Sequence, residues 1–260
     1  MGARAAAATA RAGGCPALSR ELAYAQCLAA SGDDPYVRWQ VDPARTPRGW
    51  VVDTAVAFDR LDRQGRRTVT VVGTAVAAAR AVRCLVPVAE PVRVTVPRGT
   101  LQVLGDGVRV GDGADWDWFR TDVRPAPTAD EERVVTVADD DAVRTLLAVA
   151  SPRHSAVPGD DEVRRWVGVQ ADDGTLLACA AHTEAVPGVP HLASIATHPR
   201  ARGQGLGALV TGALTRRLLD EGFPAVTLGM YADNDVARRM YLRLGYRCDH
   251  EWSSRAIVLH

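Results

Sequence analysis

The chain has 260 residues with 31 basic and 31 acidic side chains, so its formal net charge is zero; 47% of residues are apolar and 24% charged. This is the composition of a soluble globular protein, and the balanced charge argues against a general nucleic-acid binder or a polybasic membrane-surface protein, both of which need excess positive charge. No apolar run approaches the roughly 18 residues needed to cross a bilayer.

The Ala-rich stretch from Met1 to Gly14 is broken by Arg4 and Arg11 before a signal-peptide core can form. Residues 1–14 therefore read as a disordered N-terminus of a cytoplasmic protein. Cys15, Cys27, Cys84, Cys179 and Cys248 are scattered and odd in number, with no CxxC pair, so neither a disulfide framework nor a metal site is expected. There is no Lys, and Asn234 is the only Asn.

The segment Pro125-Ala-Pro127-Thr-Ala-Asp-Glu-Glu132 combines two prolines with an acidic run and reads as a domain boundary. It divides a smaller α/β part, residues 15–127, from residues 128–260. In the first part Leu18 to Ala29 reads as a helix. Trp50 to Asp59, Arg67 to Val72 and Val92 to Val96 read as strands, with a helix from Thr74 to Leu85 between the last two. Trp116-Asp-Trp118-Phe119 places both tryptophans on one face of a strand, which favours core or interface over a ligand site.

In the second part the spacing of Val143, Leu146, Leu147 and Ala150 predicts a helix over Asp139 to Ala150. Trp166 to Gln170 and Thr175 to His182 read as strands joined by a turn ending in Asp173-Gly174. A strand from His191 to Thr197 precedes the Gly-rich turn Arg202 to Gly207. A helix then runs to Leu219, followed by a strand from Ala225 to Tyr231, a helix from Asp235 to Leu244 closed by Gly245, and a terminal strand pair from Tyr246 to His260.

The stretch Arg200-Ala-Arg202-Gly203-Gln204-Gly205-Leu206-Gly207-Ala208 follows a strand and opens an amphipathic helix. Such a turn suits an anion. The first N–H groups of a helix lack internal partners, the peptide dipoles add roughly half a positive charge there, and glycines let the main chain approach phosphate oxygens. Arg200 and Arg202 add charge-assisted donors. A dinucleotide site is a competing reading, because Gly203-x-Gly205-x-x-Ala208 satisfies the relaxed fingerprint and Asp233 closes the next strand. Too few residues follow Ala208 for the further βα units that such a fold needs.

Arg202-x-x-Gly205-x-Gly207 resembles the acyl-CoA pyrophosphate signature of the GNAT acetyltransferase superfamily, and His198-Pro199 is similar to the lead-in common there. Asn234-Asp-Val-Ala237-Arg-Arg-Met-Tyr241-Leu-Arg-Leu-Gly245-Tyr246 is similar to the family's closing pattern. The wider resemblance runs from about residue 130 to the end and is nearest to the FR47-like and glycine N-acyltransferase-like group, in which a degenerate half precedes the acetyltransferase half. It implies a mixed α+β fold with a central, mostly antiparallel, splayed sheet flanked by helices. It also implies an N-acyltransferase that passes acetyl from acetyl-CoA to a primary amine of a small molecule or protein.

By the same resemblance the strands His191 to Thr197 and Ala225 to Tyr231 part to admit pantetheine. The main chain at Ile195, Ala196 and Thr197 would bind its amides, and Arg202, Gly203, Gln204, Gly205, Leu206, Gly207 and Ala208 would cradle the diphosphate. Tyr241 occupies the position of the family's general acid; packing beside Met240 and Leu244 is the alternative. His191 falls where relatives carry a catalytic glutamate, while His182 and Glu184 at the end of the preceding strand face the same cleft in this reading, and a water chain is a further option. Asn234 reads both as a helix N-cap and as a cofactor contact. Ser151 to Gly159 has the loop chemistry of a specificity lid. The partners expected are acetyl-CoA and an amine, with no nucleic acid, membrane or metal, in a monomer or homodimer. An acyl-CoA-binding regulator without turnover remains the second functional reading.

Overall fold

The computed structural model describes residues 15, 21–44, 48–61 and 65–258; the segment 1–14 expected to be disordered lies outside them. In chain order the elements are α1 (Tyr24–Ala30), α2 (Pro35–Gln40), β1 (Gly49–Val52), β2 (Ala55–Leu61), β3 (Arg67–Val72), α3 (Ala75–Ala89), β4 (Arg93–Pro97) and β5 (Val110–Thr121). They continue with β6 (Val135–Thr136), α4 (Asp140–Ala150), β7 (Val163–Gln170), β8 (Leu176–Val186), β9 (Val189–Thr197), α5 (Leu206–Asp220), β10 (Val226–Tyr231), α6 (Asp235–Arg243) and β11 (Arg247–Ile257).

Two compact units result. The described parts of Met1–Val37, Pro43–Ala114 and Trp252–His260 make the first, and Arg38–Asp42 with Asp115–Glu251 the second. The divisions fall inside α2, after Asp42, and inside β5 and β11, rather than at Pro125 to Glu132. That segment belongs firmly to the second unit, because the buried Arg216 of α5 donates from Nη1 to Pro125 O (3.0 Å) and from Nε to Glu131 Oε1 (3.0 Å). A buried guanidinium needs such partners, and here a proline-rich stretch supplies them.

In the first unit the strands are ordered β1-β2-β3-β4, with residues 252–256 of β11 antiparallel to β4. The step β3–α3–β4 is parallel, paired at Thr68↔Arg93, Val69↔Val94 and Thr70↔Thr95. Ala78, Ala81, Val82 and Leu85 of α3 pack on Trp50, Val69, Val71 and Val94; alanine is the strongest helix former and lets the helix lie close to the sheet. The single strand expected over Trp50 to Asp59 is instead the hairpin β1–β2. Its turn is carried by Asp53 at φ 53°, a conformation that Asp tolerates better than most side chains.

In the second unit the order is β5-β10-β9-β8-β7-β6, antiparallel except between β9 and β10. The helix α5 covers one face, where Leu206, Val210, Leu214 and Leu218 meet Val167, Ala180, Leu192 and Leu228. The other face packs on α4 through Val143, Leu146 and Leu147 against Trp166, Cys179, Ala181, Ala193 and Ala196. The mixed, mostly antiparallel architecture agrees with expectation, and an open parallel dinucleotide sheet is ruled out. The expected terminal strand pair is one strand, β11, and the helix expected from Leu18 begins at Tyr24, with Leu18 to Arg20 outside the described residues.

A cysteine pair also departs from expectation: Cys15 and Cys84 form a disulfide across 69 positions of sequence, with Cα atoms 5.6 Å apart. Spacing alone carries no signal for such a pair. Among the described residues Cys27, Cys179 and Cys248 form no disulfide, and burial pushes the Cys179 thiol up to about 12, which leaves it protonated and unreactive. No described helix is long and apolar enough to cross a membrane.

Candidate functional site

The strand β10 pairs with β5 along its whole length, from Val226↔Thr121 to Tyr231↔Trp116. Its other edge meets β9 only at Thr227↔His191 and Leu228↔Leu192. Because β9 runs on to Thr197 and β10 to Tyr231, the two strands diverge. Ala193 to Thr197, about 16 Å of strand edge, do not pair with β10.

Within that stretch β9 is irregular. Ala193 pairs with Ala181 and Ala196 with Cys179, and both pack on the α4 side although they lie an odd number of residues apart. Side chains alternate faces along a regular strand, so an extra residue must be inserted between them. The insertion is at Ser194, held at φ 49°, whose Oγ accepts from Ala156 N (2.9 Å) and donates to Ala156 O (2.8 Å). Nothing in the run Ala-Ser-Ile-Ala signals this bulge.

The loop supplying Ala156 also reaches β10. Arg153 binds both carboxylate oxygens of Asp233 at 3.1 Å and lies 4.1 Å from the Tyr231 ring centroid. The Ser151 to Gly159 loop, singled out as a lid, thus ties to both diverging strands.

Beyond the end of β9 comes the Gly-rich turn. Gly203 and Gly205 stand at φ 79° and 77°, which only glycine adopts freely, and a Cβ built on either would meet no atom within 4 Å. Gly207 differs: a Cβ there would come 3.2 Å from Thr197 Oγ1 and 3.5 Å from Met240 Sδ. The end of β9, the start of α5 and α6 therefore converge at this point.

Among the described helices longer than eight residues, α3, α4 and α6 are capped by Thr74, Asp139 and Asn234, whereas α5 begins at Gly205 with no side-chain cap. Arg202 is exposed and makes no ion pair or hydrogen bond through its side chain among the described residues. Uncapped N–H groups, a helix dipole, a free guanidinium and open backbone together suit a diphosphate. Arg200 is half committed elsewhere, 3.9 Å from Asp173.

Asn234 Oδ1 accepts from Ala237 N (3.1 Å), so the cap is formed. Tyr241 is buried, its ring 5.9 Å from that of Phe119 and 6.0 Å from that of Tyr246. Its hydroxyl has no hydrogen-bond partner among the described residues, and burial raises its pKa above the usual phenol range. The ring thus belongs to the core, and the hydroxyl is a protonated donor with nothing to donate to.

His191 and the alternatives do not share a cleft. Residues opposite one another across strands share a face, and sequence neighbours do not. Thr183↔His191 and Thr227↔His191 put His191 on the α4 side, while His182↔Leu192 puts His182 on the α5 side, where its ring lies 5.8 Å from that of Phe223. Glu184 follows His182: its Oε1 is 3.1 Å from His182 Nε2, out of line for a hydrogen bond, and its Oε2 accepts from Gly188 N. Burial, with Arg165 nearby, lowers the His182 pKa. At His191, Nδ1 is 2.9 Å from Thr227 Oγ1, and burial lowers the pKa to about 4.

One trio of side chains with metal-binding chemistry occurs among the described residues, Asp117, Cys248 and Glu251. The Arg238 guanidinium pairs with both carboxylates, so a cation already stands between them.

Residues 129–246 match a family model described as acetyltransferase (GNAT) family. Among solved structures, a GCN5-related N-acetyltransferase from Sphaerobacter thermophilus is 18% identical over 90% of this chain and 89% of that one, with a TM-score of 0.59. Another from Kribbella flavida is 19% identical over 92% and 96%, with a TM-score of 0.52. At such identities the likeness is one of fold.

Proposed function

We propose that this chain, whose residues 129–246 match the acetyltransferase (GNAT) family model, is an acyl-CoA-dependent N-acyltransferase passing acetyl from acetyl-CoA directly to a primary amine of a small molecule or protein. The observation that carries the reading is the uncapped, glycine-rich start of α5 beside the point where β9 leaves β10. Main-chain groups of Ile195, Ala196 and Thr197 on the free edge of β9 bind the pantetheine amides as an added strand would. Arg202 and the amides from Gly203 to Ala208 take the diphosphate, and the Asn234 side chain lies at the start of the next helix to contact the same cofactor.

Transfer needs a neutral amine, a polarised thioester and a proton for the departing thiolate. Tyr241 supplies that proton. Its burial on the α5 side keeps the phenol protonated, and its hydroxyl carries no competing bond among the described residues. His191 lies on the opposite face of the sheet, at the point where the strands part, and takes the proton that the nitrogen sheds. Deprotonating an alkylammonium of pKa about 10.4 with a base near 4 is uphill by roughly 9 kcal/mol. The amine must therefore enter neutral and lose its proton only after it has added to the acyl carbon.

Sign and window follow from the lowered pKa: His191 is uncharged above about pH 4. At saturating amine the acid limb of kcat is expected near 4; a limb at the ordinary histidine value that disappears in His191→Gln would contradict this environment. The loop 151–159, fixed to Ser194 and Asp233, walls the acceptor side. The first unit, with its own parallel strand–helix–strand step, is read as a degenerate acetyltransferase-like half.

The test is thiol release from acetyl-CoA over a panel of primary amines. Release that depends on an amine and yields an N-acetyl product supports the reading. Tight coenzyme A binding without release on any acceptor would favour the regulatory alternative.

A further inference from the structure

We infer that Thr227 is a positioning residue that holds His191 as the Nδ1–H tautomer and leaves Nε2 as the free proton acceptor. Thr227 is fully buried on β10, and its Oγ1 sits between two groups: Pro190 O at 3.1 Å and His191 Nδ1 at 2.9 Å. A hydroxyl has one proton, and a carbonyl oxygen can only accept. Only one arrangement makes both contacts hydrogen bonds: the hydroxyl proton goes to Pro190 O, and Oγ1 meets the imidazole as an acceptor. Nδ1 must then carry hydrogen. In a neutral ring that leaves Nε2 with its lone pair exposed, and Nε2 has no hydrogen-bond partner among the described residues.

The surroundings support a fixed ring. Thr183 Oγ1 on β8 donates to His191 O (3.0 Å), so both neighbouring strands contribute a threonine hydroxyl, one to the backbone and one to the ring. The β9–β10 register ends one pair later, at Leu228↔Leu192. Thr227 thus acts at the last stretch where the two strands are still joined, and fixes the ring at the mouth of the opening. The catalytic consequence rests on the reading of His191 as the group that receives the proton; the tautomer itself does not.

Nitrogen-15 spectra of the full-length protein with labelled histidine separate the two. The His191 signals are identified by their loss in His191→Asn. At neutral pH the protein is expected to show a protonated Nδ1 and an unprotonated Nε2 at His191. Thr227→Val is expected to move the ring to the Nε2–H form, and Thr227→Ser to restore it. A protonated Nε2 in the unaltered protein overturns the inference, and needs no variant to fold. In the assay, Thr227→Val should lower kcat roughly 10²-fold with KM for acetyl-CoA unchanged, and Thr227→Ser should recover it. A tautomer that shifts as expected while kcat stays constant upholds the positioning of the ring and refutes His191 as the base.

Discussion

Both units contain a strand, a helix and a second strand parallel to the first, and the two helix starts could hardly differ more. In the first unit β3 leads through Gly73 straight to Thr74, whose side chain accepts from Ala77 N (3.3 Å) and closes the end of α3. In the second, β9 leads through Arg200 to Gly205 into α5, and no side chain among the described residues caps the end. The strands differ in the same sense. β3 and β4 pair at three positions and each extends two residues further, whereas β9 and β10 pair at two and β9 then runs five residues beyond. A capped helix over closely paired strands is a packing device. An open helix end over parting strands leaves backbone donors for something else, and the proposed function places the chemistry there, in the second unit.

The hardest blow to that contrast is Gly205→Glu, which puts a carboxylate among phosphate oxygens and should abolish measurable coenzyme A binding, a loss of several kcal/mol for like charges in a partly dry site. Gly205→Ala shares the backbone strain of a side chain at positive φ, about 1–2 kcal/mol, without the charge. It should weaken binding far less. Calorimetry giving equal affinities for both variants would remove the cradle.

Next in size is Tyr241→Phe. As general acid, Tyr241 should account for about 10²-fold or more in kcat, with coenzyme A affinity and melting temperature little changed, because its hydroxyl holds no partner among the described residues. Unchanged turnover would leave the ring a core residue only.

The smallest effect sharpens the contrast from the other side. Thr74→Ala removes the cap of α3 and should cost about 1 kcal/mol of stability in denaturant titration, with no change in coenzyme A affinity. A drop in affinity would mean that the first unit takes part in binding.

Much of the second unit is legible in the chain because its punctuation is strong. Gly174, Gly203, Gly205 and Gly245 all stand at positive φ where turns were expected, and Asp139 and Asn234 cap the helices that follow them. The first unit is less legible for the same reason reversed. The turn at Asp53 sits inside Val51-Val-Asp-Thr-Ala-Val56 without a glycine, so two short strands read as one long one. The bulge at Ser194 is equally unmarked, since a serine in a left-handed conformation leaves no trace in composition or periodicity. The separation of His182 from His191 depends on strand register, which local spacing does not reveal. Thr227 was invisible because its role lies in a bond to another strand.

The account's central claim is tested most directly by backbone amide shifts in a titration of the whole protein with coenzyme A. The amides of Gly203 to Ala208 at the start of α5 should move most, those of Ala75 to Ala78 at the start of α3 should stay still, and the free edge of β9 at Ile195 and Thr197 should respond with the cradle. Perturbation centred on the start of α3, or sparing both helix starts while coenzyme A binds elsewhere, would contradict it.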